Sequence, residues 1–220
     1  MSFSSLYLKG EQMARITALR AGRGRGKRWH VFLDGRLALS LEAEAAAGLL
    51  VGQEMARDDI QALTRADGYK RCLNAAARYL GYRPRSEAEL RERLQKRGFD
   101  GDSVGAVLER LKEQGLVDDT AFAKFWKENR ESFSPRSRWL TARELQRKGI
   151  APDIIEGVLY TADDDDSAYR AAAGRLRSLR QADYQSFRLR LGEFLRRRGF
   201  SYQVIDSTVR RLWHEATSDT

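Results

Sequence analysis

Residues 83–99 read RPRSEAELRERLQKRGF, and a closely similar phrase, SPRSRWLTARELQRKGI, occupies residues 134–150. A third version, YQSFRLRLGEFLRRRGF, occupies residues 184–200. Each phrase ends in two basic residues, a glycine and a large apolar residue, and the phrases follow one another at spacings of 51 and then 50 residues. A phrase that recurs at a nearly constant period predicts a structural repeat, because each copy solves the same packing problem.

Apolar residues keep one register in the three phrases. When Gly98, Gly149 and Gly199 are aligned, a leucine stands four residues before each glycine and a large apolar residue directly after it. This pattern predicts an amphipathic helix that ends where the glycine adopts the left-handed conformation. Ser86, with Glu89 three residues later, predicts a capping box at the start of the first of these helices.

Helical patterns also flank the phrases, so each phrase is predicted to be the middle helix of a three-helix unit. The predicted first helices are residues 68–80, 118–131 and 168–180, and the predicted third helices are residues 102–114, 152–160 and 202–215. We therefore predict a mainly α fold, an elongated array of three tandem three-helix repeats in which each repeat contacts its neighbours. The predicted bounds of repeat one, repeat two and repeat three are residues 67–115, 116–162 and 163–220.

The segment before the repeats has the pattern of β-structure. Apolar and polar residues alternate on both sides of Asp34 and Gly35, a dipeptide that favours a tight hairpin turn. Residues 29–33 and 36–40 are predicted strands, and residues 16–20 are a candidate third strand. The prediction is a β-hairpin plus helix extension over residues 14–66, preceded by an appendage of residues 1–13.

The chain carries a strong excess of positive charge. Its 220 residues include 40 lysines and arginines against 31 acidic residues, a formal net charge of +9. Such a balance favours a polyanionic partner, whether nucleic acid, an acidic protein surface or anionic lipid. No apolar stretch is long enough to span a bilayer, and a single cysteine, Cys72, permits no internal disulfide. A cytoplasmic protein without a membrane association is the expectation.

Residues that would support catalysis are few. The two histidines, His30 and His214, have no cysteine or acidic residue at metal-ligand spacing. Cys72 is predicted to be a small buried hydrophobe rather than a nucleophile. The acidic run at residues 163–166 precedes a predicted helix, where capping is the favoured role over a cation site. The glycine-rich AGRGRGKR at residues 21–28 matches neither the P-loop nor the dinucleotide pattern. No enzyme, metal or cofactor is predicted.

Basic residues are concentrated near the two ends of the chain. Residues 167–213 contain eleven arginines against three acids, and residues 15–36 contain seven basic residues against one acid. The glycine-rich segment is predicted to be a cationic loop that either touches a polyanion or is only a solvated linker. Its candidate nucleic-acid-binding residues are Arg23, Arg25, Lys27 and Arg28.

The basic pair before each glycine has a structural explanation, because cations are favoured in the last turn of a helix. Its recurrence in every repeat would also place cations at regular intervals against a periodic anionic partner. The candidate partner-binding residues are Arg91, Lys96, Arg97, Arg143, Arg147, Lys148, Arg196, Arg197 and Arg198.

Two of the phrases open with Pro-Arg-Ser before a leucine-rich basic helix, and LVDDTAFAKFW lies between them. In this combination the chain resembles the RecX family, bacterial regulators of the RecA recombinase. The resemblance spans about residues 69–213, although the third phrase has Gln-Ser-Phe in place of Pro-Arg-Ser. The residues that carry it are Ser86, Leu90, Leu94, Gly98, Phe99, Leu108, Leu111, Gly115, Asp118, Asp119, Phe122, Trp126, Leu145, Gly149 and Ile150.

The resemblance implies a crescent of three repeats that acts without catalysis, as a monomer. It implies binding to RecA and to the groove of the RecA filament on single-stranded DNA, with restraint of ATP hydrolysis, strand exchange and co-protease activity. Homologous recombination, DNA repair and the SOS response would be modulated in this way. Two alternatives stay open from the residues: a basic helical protein that binds DNA or RNA directly, and a nuclease whose metal would rest on the acidic run.

Overall fold

The structure is a computed structural model that describes residues 13–22, 28–176, 179 and 183–218. Residues 1–12 of the predicted appendage, which was residues 1–13, lie outside the described residues. The chain divides into two compact units. One holds the residues up to Arg78 together with Leu94–Arg110, and the other holds Tyr79–Arg93 together with the residues from Leu111 onward.

A four-stranded antiparallel sheet opens the chain, in the strand order β3-β2-β1-β4. Its strands are β1 (Ala14–Ala21), β2 (Arg28–Leu33), β3 (Arg36–Glu42) and β4 (Glu54–Met55). The predicted hairpin is confirmed, because the turn residues Asp34 and Gly35 have φ angles of 48° and 80°. The two-residue β4 was not predicted, since it is too short to show alternation.

One face of the sheet is buried. Ile16, Val31 and Leu41 have almost no exposed surface and pack in one apolar cluster with Met55 of β4. Between β3 and β4 the alanine-rich segment forms only a short helix, α1 (Ala43–Ala46). The alternation of apolar residues in the sequence therefore identified the side of the sheet that faces the core.

The remaining described residues are mainly helical, in sets of three along the chain, which confirms the predicted fold class. The first set is α2 (Arg57–Tyr82), α3 (Glu87–Lys96) and α4 (Gly101–Glu113). The second set is α5 (Asp119–Phe133), α6 (Arg138–Arg147) and α7 (Pro152–Leu159). The third set is α8 (Asp164–Ala173), α9 (Tyr184–Arg197) and α10 (Tyr202–Ser218).

Glycines end the three middle helices as predicted. Gly98, Gly149 and Gly199 have φ angles of 90°, 77° and 84°. In each case the residue after the glycine donates its N–H to the carbonyl of the leucine four residues before the glycine, at 3.1–3.3 Å. These three leucines have no exposed surface. The shared register of the phrases thus marks the buried end of each middle helix.

Repeat two packs directly on the start of α3. The Ser86 hydroxyl donates to the carbonyl of Lys148 at 2.6 Å and accepts the N–H of Glu89 at 3.1 Å, while Ser86 itself is completely buried. A Cβ on Gly149 would lie only 2.3 Å from the Cβ of Ala88. Gly149 is therefore required both for its backbone conformation and for this close approach.

The same arrangement recurs one repeat later, at the start of α6. The N–H of Ser137 donates to the carbonyl of Arg198 at 3.1 Å. A Cβ on Gly199 would lie 2.7 Å from the Ser137 hydroxyl and 2.8 Å from the Cβ of Leu140. We call each of these contacts, between the end of one middle helix and the start of the preceding one, an inter-repeat joint.

A carboxylate completes each inter-repeat joint. Asp119, in the first turn of α5, accepts the N–H of Glu87 at 2.8 Å, and Asp164, in the first turn of α8, accepts the N–H of Arg138 at 2.6 Å. Each aspartate satisfies a backbone donor at the start of the middle helix before it, a donor that has no partner within that helix. Burial raises the pKa of both aspartates.

Repeat two contains a polar cluster centred on Glu144. Its carboxylate accepts the indole N–H of Trp126 at 2.9 Å, the Nε–H of Arg130 at 2.8 Å and a guanidinium N–H of Arg136. Only 11% of the Glu144 side chain is exposed. One carboxylate therefore pairs with two arginines and links helix α6 to helix α5.

Candidate partner-binding surface

The basic pairs before the glycines divide into two kinds of position. The residue directly before the glycine is half-buried in repeats two and three, where Lys148 and Arg198 occupy it. The residue two before the glycine is exposed in all three repeats, where Lys96, Arg147 and Arg197 occupy it. In repeats two and three, one residue of the basic pair is therefore packed against the protein and the other is open to solvent.

Lys148 belongs to the first inter-repeat joint. Its ammonium group pairs with the carboxylate of Glu89 and lies 4.6 Å from the ring centroid of Trp126. Burial opposes ionisation of Glu89, but hydrogen bonds from Arg83 and Lys148 hold its pKa below the ordinary value. The predicted capping box is thus only half formed, because the Glu89 carboxylate binds these cations instead of returning to Ser86.

Arg198 plays the corresponding part in the second joint. Its guanidinium donates to the Ser134 hydroxyl at 3.1 Å and to the Pro135 carbonyl at 2.8 Å. It also lies over the ring of Phe194, 4.5 Å from the centroid. A third predicted residue, Arg91, pairs with Glu87 one turn earlier at 2.6 Å. These contacts order the side chains within the protein.

The other predicted cations are exposed. Arg97 and Lys96 lie at the end of α3, and Arg143 lies on α6. Arg196 and Arg197 are both near Glu193 of the same helix, at 2.9 and 3.8 Å. Because these last ion pairs are exposed, they hold the arginines only weakly.

An exposed stripe runs along α6. Trp139, Arg143 and Arg147 are spaced four residues apart and share one face of the helix, which we call the α6 stripe. Trp139 is 57% exposed, and the Arg143 guanidinium lies 5.1 Å from its ring centroid. Exposed tryptophan and arginine side chains are the types that dominate protein interfaces. Trp139 was not among the predicted site residues, although its spacing from Arg143 was a usable signal.

The α6 stripe is specific to repeat two. At the position of Arg143, repeats one and three carry Glu92 and Glu193. The stripe lies next to the end of α9, since a ring carbon of Trp139 is 3.4 Å from where a Cβ on Gly199 would lie. The α6 stripe therefore belongs to the middle repeat, and the end of α9, which carries the exposed Arg196 and Arg197, lies beside it.

Four residues of the glycine-rich segment were predicted to bind nucleic acid. Three of them, Arg23, Arg25 and Lys27, lie outside the described residues. Arg28 opens β2, where it pairs with the buried carboxylate of Asp67 at 3.2 Å and donates to the hydroxyl of Ser40 at 2.8 Å. Its guanidinium therefore joins the sheet to α2 within the first unit.

The acidic run acts as a cap. The Asp163 carboxylate accepts the N–H groups of Asp165 and Asp166, at 2.8 and 3.3 Å, at the start of α8. Within the described part of the chain, no group of histidine, cysteine and acidic side chains is arranged to hold a metal ion. None of the described helices is long and apolar enough to cross a membrane.

Cys72 is buried in α2, and we expect it to resist alkylation. Burial, together with the nearby charge of Asp100, raises the pKa of its thiol to about 11. Since the thiolate is the reactive form, iodoacetamide at mildly alkaline pH should leave the native protein unmodified and label it only after unfolding in guanidinium. Mass spectrometry measures the extent of labelling. Rapid modification of the native protein would contradict the buried placement.

Sequence comparisons give two matches to models of protein domains. Residues 72–111 match the first three-helix domain of RecX, and residues 118–159 match the second. The regulatory protein RecX of Clostridium botulinum is 30% identical over 207 residues, which is 90% of this chain and 96% of that protein. The regulatory protein RecX of Pelodictyon phaeoclathratiforme is 35% identical over 137 residues, which is 62% of this chain and 86% of that protein.

Solved structures agree in fold. The crystal structure of a regulatory protein RecX matches with a TM-score of 0.60 over 89% of this chain and 98% of that one, at 23% sequence identity. A crystal structure of RecX from Lactobacillus salivarius matches with a TM-score of 0.57 over 67% of this chain and 97% of that one, also at 23% identity.

Proposed function

The chain belongs to the RecX family, and on this premise we propose that it binds RecA and RecA filaments on single-stranded DNA without catalysing a reaction. It lies in the filament groove and inhibits ATP hydrolysis, strand exchange and co-protease activity. In this way it modulates homologous recombination, DNA repair and the SOS response. We propose further that it works as a cytoplasmic monomer.

The observation that supports this proposal is the α6 stripe. Trp139 offers a large apolar area, and Arg143 and Arg147 offer charge that is exposed to solvent. A tryptophan between cations suits a protein surface that presents both apolar and acidic groups. Arg196 and Arg197 extend the charged part of this surface onto repeat three.

The inter-repeat joints suggest how binding would become inhibition. Hydrogen bonds, an ion pair and a glycine close contact join the start of α3 to repeat two, and similar contacts join repeats two and three. A well-tied pair of repeats that binds two neighbouring filament subunits resists the movements between those subunits that ATP turnover requires. Inhibition then follows from preferential binding to one state of the filament.

The first experiment is a titration of the protein into the cognate RecA during single-strand-dependent ATP hydrolysis at physiological salt. We expect inhibition at less than one molecule per RecA subunit, because one bound regulator restrains several subunits. The absence of inhibition at saturating protein, combined with tight binding to naked DNA, would replace the proposal with direct nucleic-acid binding by the basic ends of the chain.

A charge reversal tests the α6 stripe within this proposal. The Arg143→Glu, Arg147→Glu double variant should weaken filament binding at least tenfold, since it replaces two positive charges with two negative charges where the partner meets cations. Glutamate is compatible with the fold at position 143, because Glu92 and Glu193 occupy the equivalent places in the other repeats, and position 147 is exposed. Filament affinity is measured by co-sedimentation and helical content by circular dichroism.

A matched control carries the same change in charge elsewhere. Arg65 and Lys124 are exposed on α2 and α5 and lie outside the α6 stripe. The Arg65→Glu, Lys124→Glu variant should bind filaments within about twofold of the original protein, because long-range electrostatics are screened at physiological salt. Equal losses in the two double variants would remove the α6 stripe from the proposal while leaving the inhibition itself intact.

A further inference from the structure

The turn between α1 and β4 holds two adjacent apolar side chains in solvent. Leu50 and Val51 are 71% and 63% exposed, whereas Leu49 before them and Met55 after them are buried in the core beneath the sheet. Tight turns usually carry aspartate, asparagine, serine or proline, because these residues favour the turn backbone or hydrogen-bond to it. Leucine and valine do neither, and at this exposure they contribute little to the core. We call the pair the apolar tip.

Backbone hydrogen bonds hold the apolar tip in one conformation. The N–H of Gln53 donates to the carbonyl of Leu50 at 3.1 Å, and the side-chain carbonyl of Gln53 accepts the N–H of Leu50 at 3.1 Å. Gly52 has a φ of 93°, as the third position of a type II turn requires, and donates its N–H to the carbonyl of Ile16 in β1 at 2.8 Å. A turn fixed in this way loses little conformational entropy when it binds a partner.

The charges beside the apolar tip are balanced. The exposed charged residues on the adjoining strand ends are two cations and two anions, Arg15, Arg36, Asp34 and Glu54. Arg15 lies opposite Glu54 in the pairing of β1 with β4, and its N–H donates to the carboxylate of Asp34 at 3.1 Å. Nucleic acids and anionic membranes are attracted by an excess of cations. The balance therefore favours a protein surface as the partner of the tip.

A projecting apolar turn is complementary to a concave apolar pocket. Clefts of about 580 and 520 Å³ in the second unit are both lined by Arg175 together with other arginines. Covering these guanidinium groups with leucine and valine would remove water from them without replacing its hydrogen bonds. These clefts of a second copy of the chain are therefore poor sites for the apolar tip, and a different protein is the better partner.

From these observations we propose that the apolar tip inserts into an apolar pocket of a partner protein, which on the proposed function is a subunit of the RecA filament. The tip belongs to the first unit and the α6 stripe to the second, so one molecule would make two contacts of different chemistry. Two linked contacts give a higher affinity than either contact alone. This inference rests on the proposed function, because it takes RecA as the protein that holds the pocket.

The test is co-sedimentation of the full chain with filaments of the cognate RecA. The Leu50→Ser, Val51→Ser double variant should bind at least tenfold more weakly, because it removes apolar area that the complex buries. The ratio of the two affinities should be the same in low and high salt, since salt screens charges but not apolar contacts. Urea denaturation should show unchanged stability, because both side chains are exposed.

Leu116→Ser is the matched control, because Leu116 is 58% exposed between α4 and α5 in the second unit. It should change the affinity less than threefold. The inference is overturned, and RecA binding stands, if the original protein binds but the double variant binds equally well or loses no more than Leu116→Ser. Failure of the original protein to bind overturns the proposed function and this inference with it. Binding to neutral lipid vesicles, or a dimer, that the double variant alone loses would assign the apolar tip to a membrane or to a second copy instead.

Discussion

Gly149→Ala should destabilise the protein by about 3 kcal/mol, because strain from a left-handed backbone costs about 1–2 kcal/mol and overpacking about 1–3 kcal/mol. Gly149 has a φ of 77°, and an added Cβ would lie 2.3 Å from the Cβ of Ala88. The neighbour is the first atom of a side chain on α3 and cannot rotate away. The free energy of unfolding is measured by urea denaturation followed by circular dichroism.

Gly98→Ala is the matched control. Gly98 ends the equivalent helix of repeat one with a φ of 90°, but no atom lies within 4 Å of its added Cβ. Gly98→Ala should lower the free energy of unfolding only by the cost of a left-handed backbone at alanine, roughly 1–2 kcal/mol. Equal losses at Gly98 and Gly149 would show that the inter-repeat joint tolerates the extra methyl group.

A double-mutant cycle isolates the contact itself. In an Ala88→Gly background the nearest atom to the added Cβ at Gly149 is the Cα of residue 88, at 3.8 Å, which is an ordinary contact. Ala88→Gly alone costs about 1 kcal/mol, as expected for glycine within a helix. Gly149→Ala should then lose no more than Gly98→Ala does, because the clash has gone. If Gly149→Ala lowered the free energy of unfolding by the same amount with and without the methyl group of Ala88, the strain would not come from the contact with Ala88.

The features that were predicted from the sequence depend on neighbours along the chain. The turn at Asp34, the caps at Gly149 and Gly199, and the spans of the middle helices each follow from a local rule of backbone conformation or helical period. Ser86 was correctly predicted to cap α3, since it accepts the N–H of Glu89, and the structure shows Ser137 accepting the N–H of Leu140 in the same way. Periodicity then extended these local predictions to three repeats.

The features that were missed depend on residues far apart in the chain. The sequence does not distinguish Arg147 from Lys148, because both suit the last turn of a helix. The structure separates them, since Lys148 meets Glu89, 59 residues away, while Arg147 stays exposed. Trp139 was missed because of its residue type. An apolar residue on an amphipathic helix is expected inside, and its four-residue spacing from the basic Arg143 was the signal that this expectation left unused.

Glu144→Ala should cost about 3 kcal/mol, the lower end of the range for removing one partner of a buried ion pair. The change leaves the indole N–H of Trp126 without its acceptor and leaves Arg130 and Arg136 close together without a counter-charge. Solvent screens part of this effect, because 23% and 30% of the two arginine side chains are exposed. The loss is measured as a shift in the urea midpoint.

Glu193→Ala is the control for the charge change. Glu193 also faces two arginines, Arg196 and Arg197, but all three side chains are well exposed. Its removal should cost less than about 1 kcal/mol, since exposed ion pairs contribute little. Comparable losses at Glu144 and Glu193 would mean that the buried carboxylate has no special role in joining α5 to α6.

Salt separates the two contributions to the loss at Glu144. Repulsion between Arg130 and Arg136 weakens as ionic strength rises, whereas the unpaired indole N–H of Trp126 keeps its cost at any salt concentration. The stability of Glu144→Ala should therefore recover only partly in high salt. Complete recovery would assign the whole effect to charge, and no recovery would assign it to the lost hydrogen bonds. A partial recovery identifies Glu144 as both the counter-ion and the hydrogen-bond acceptor that hold repeat two together.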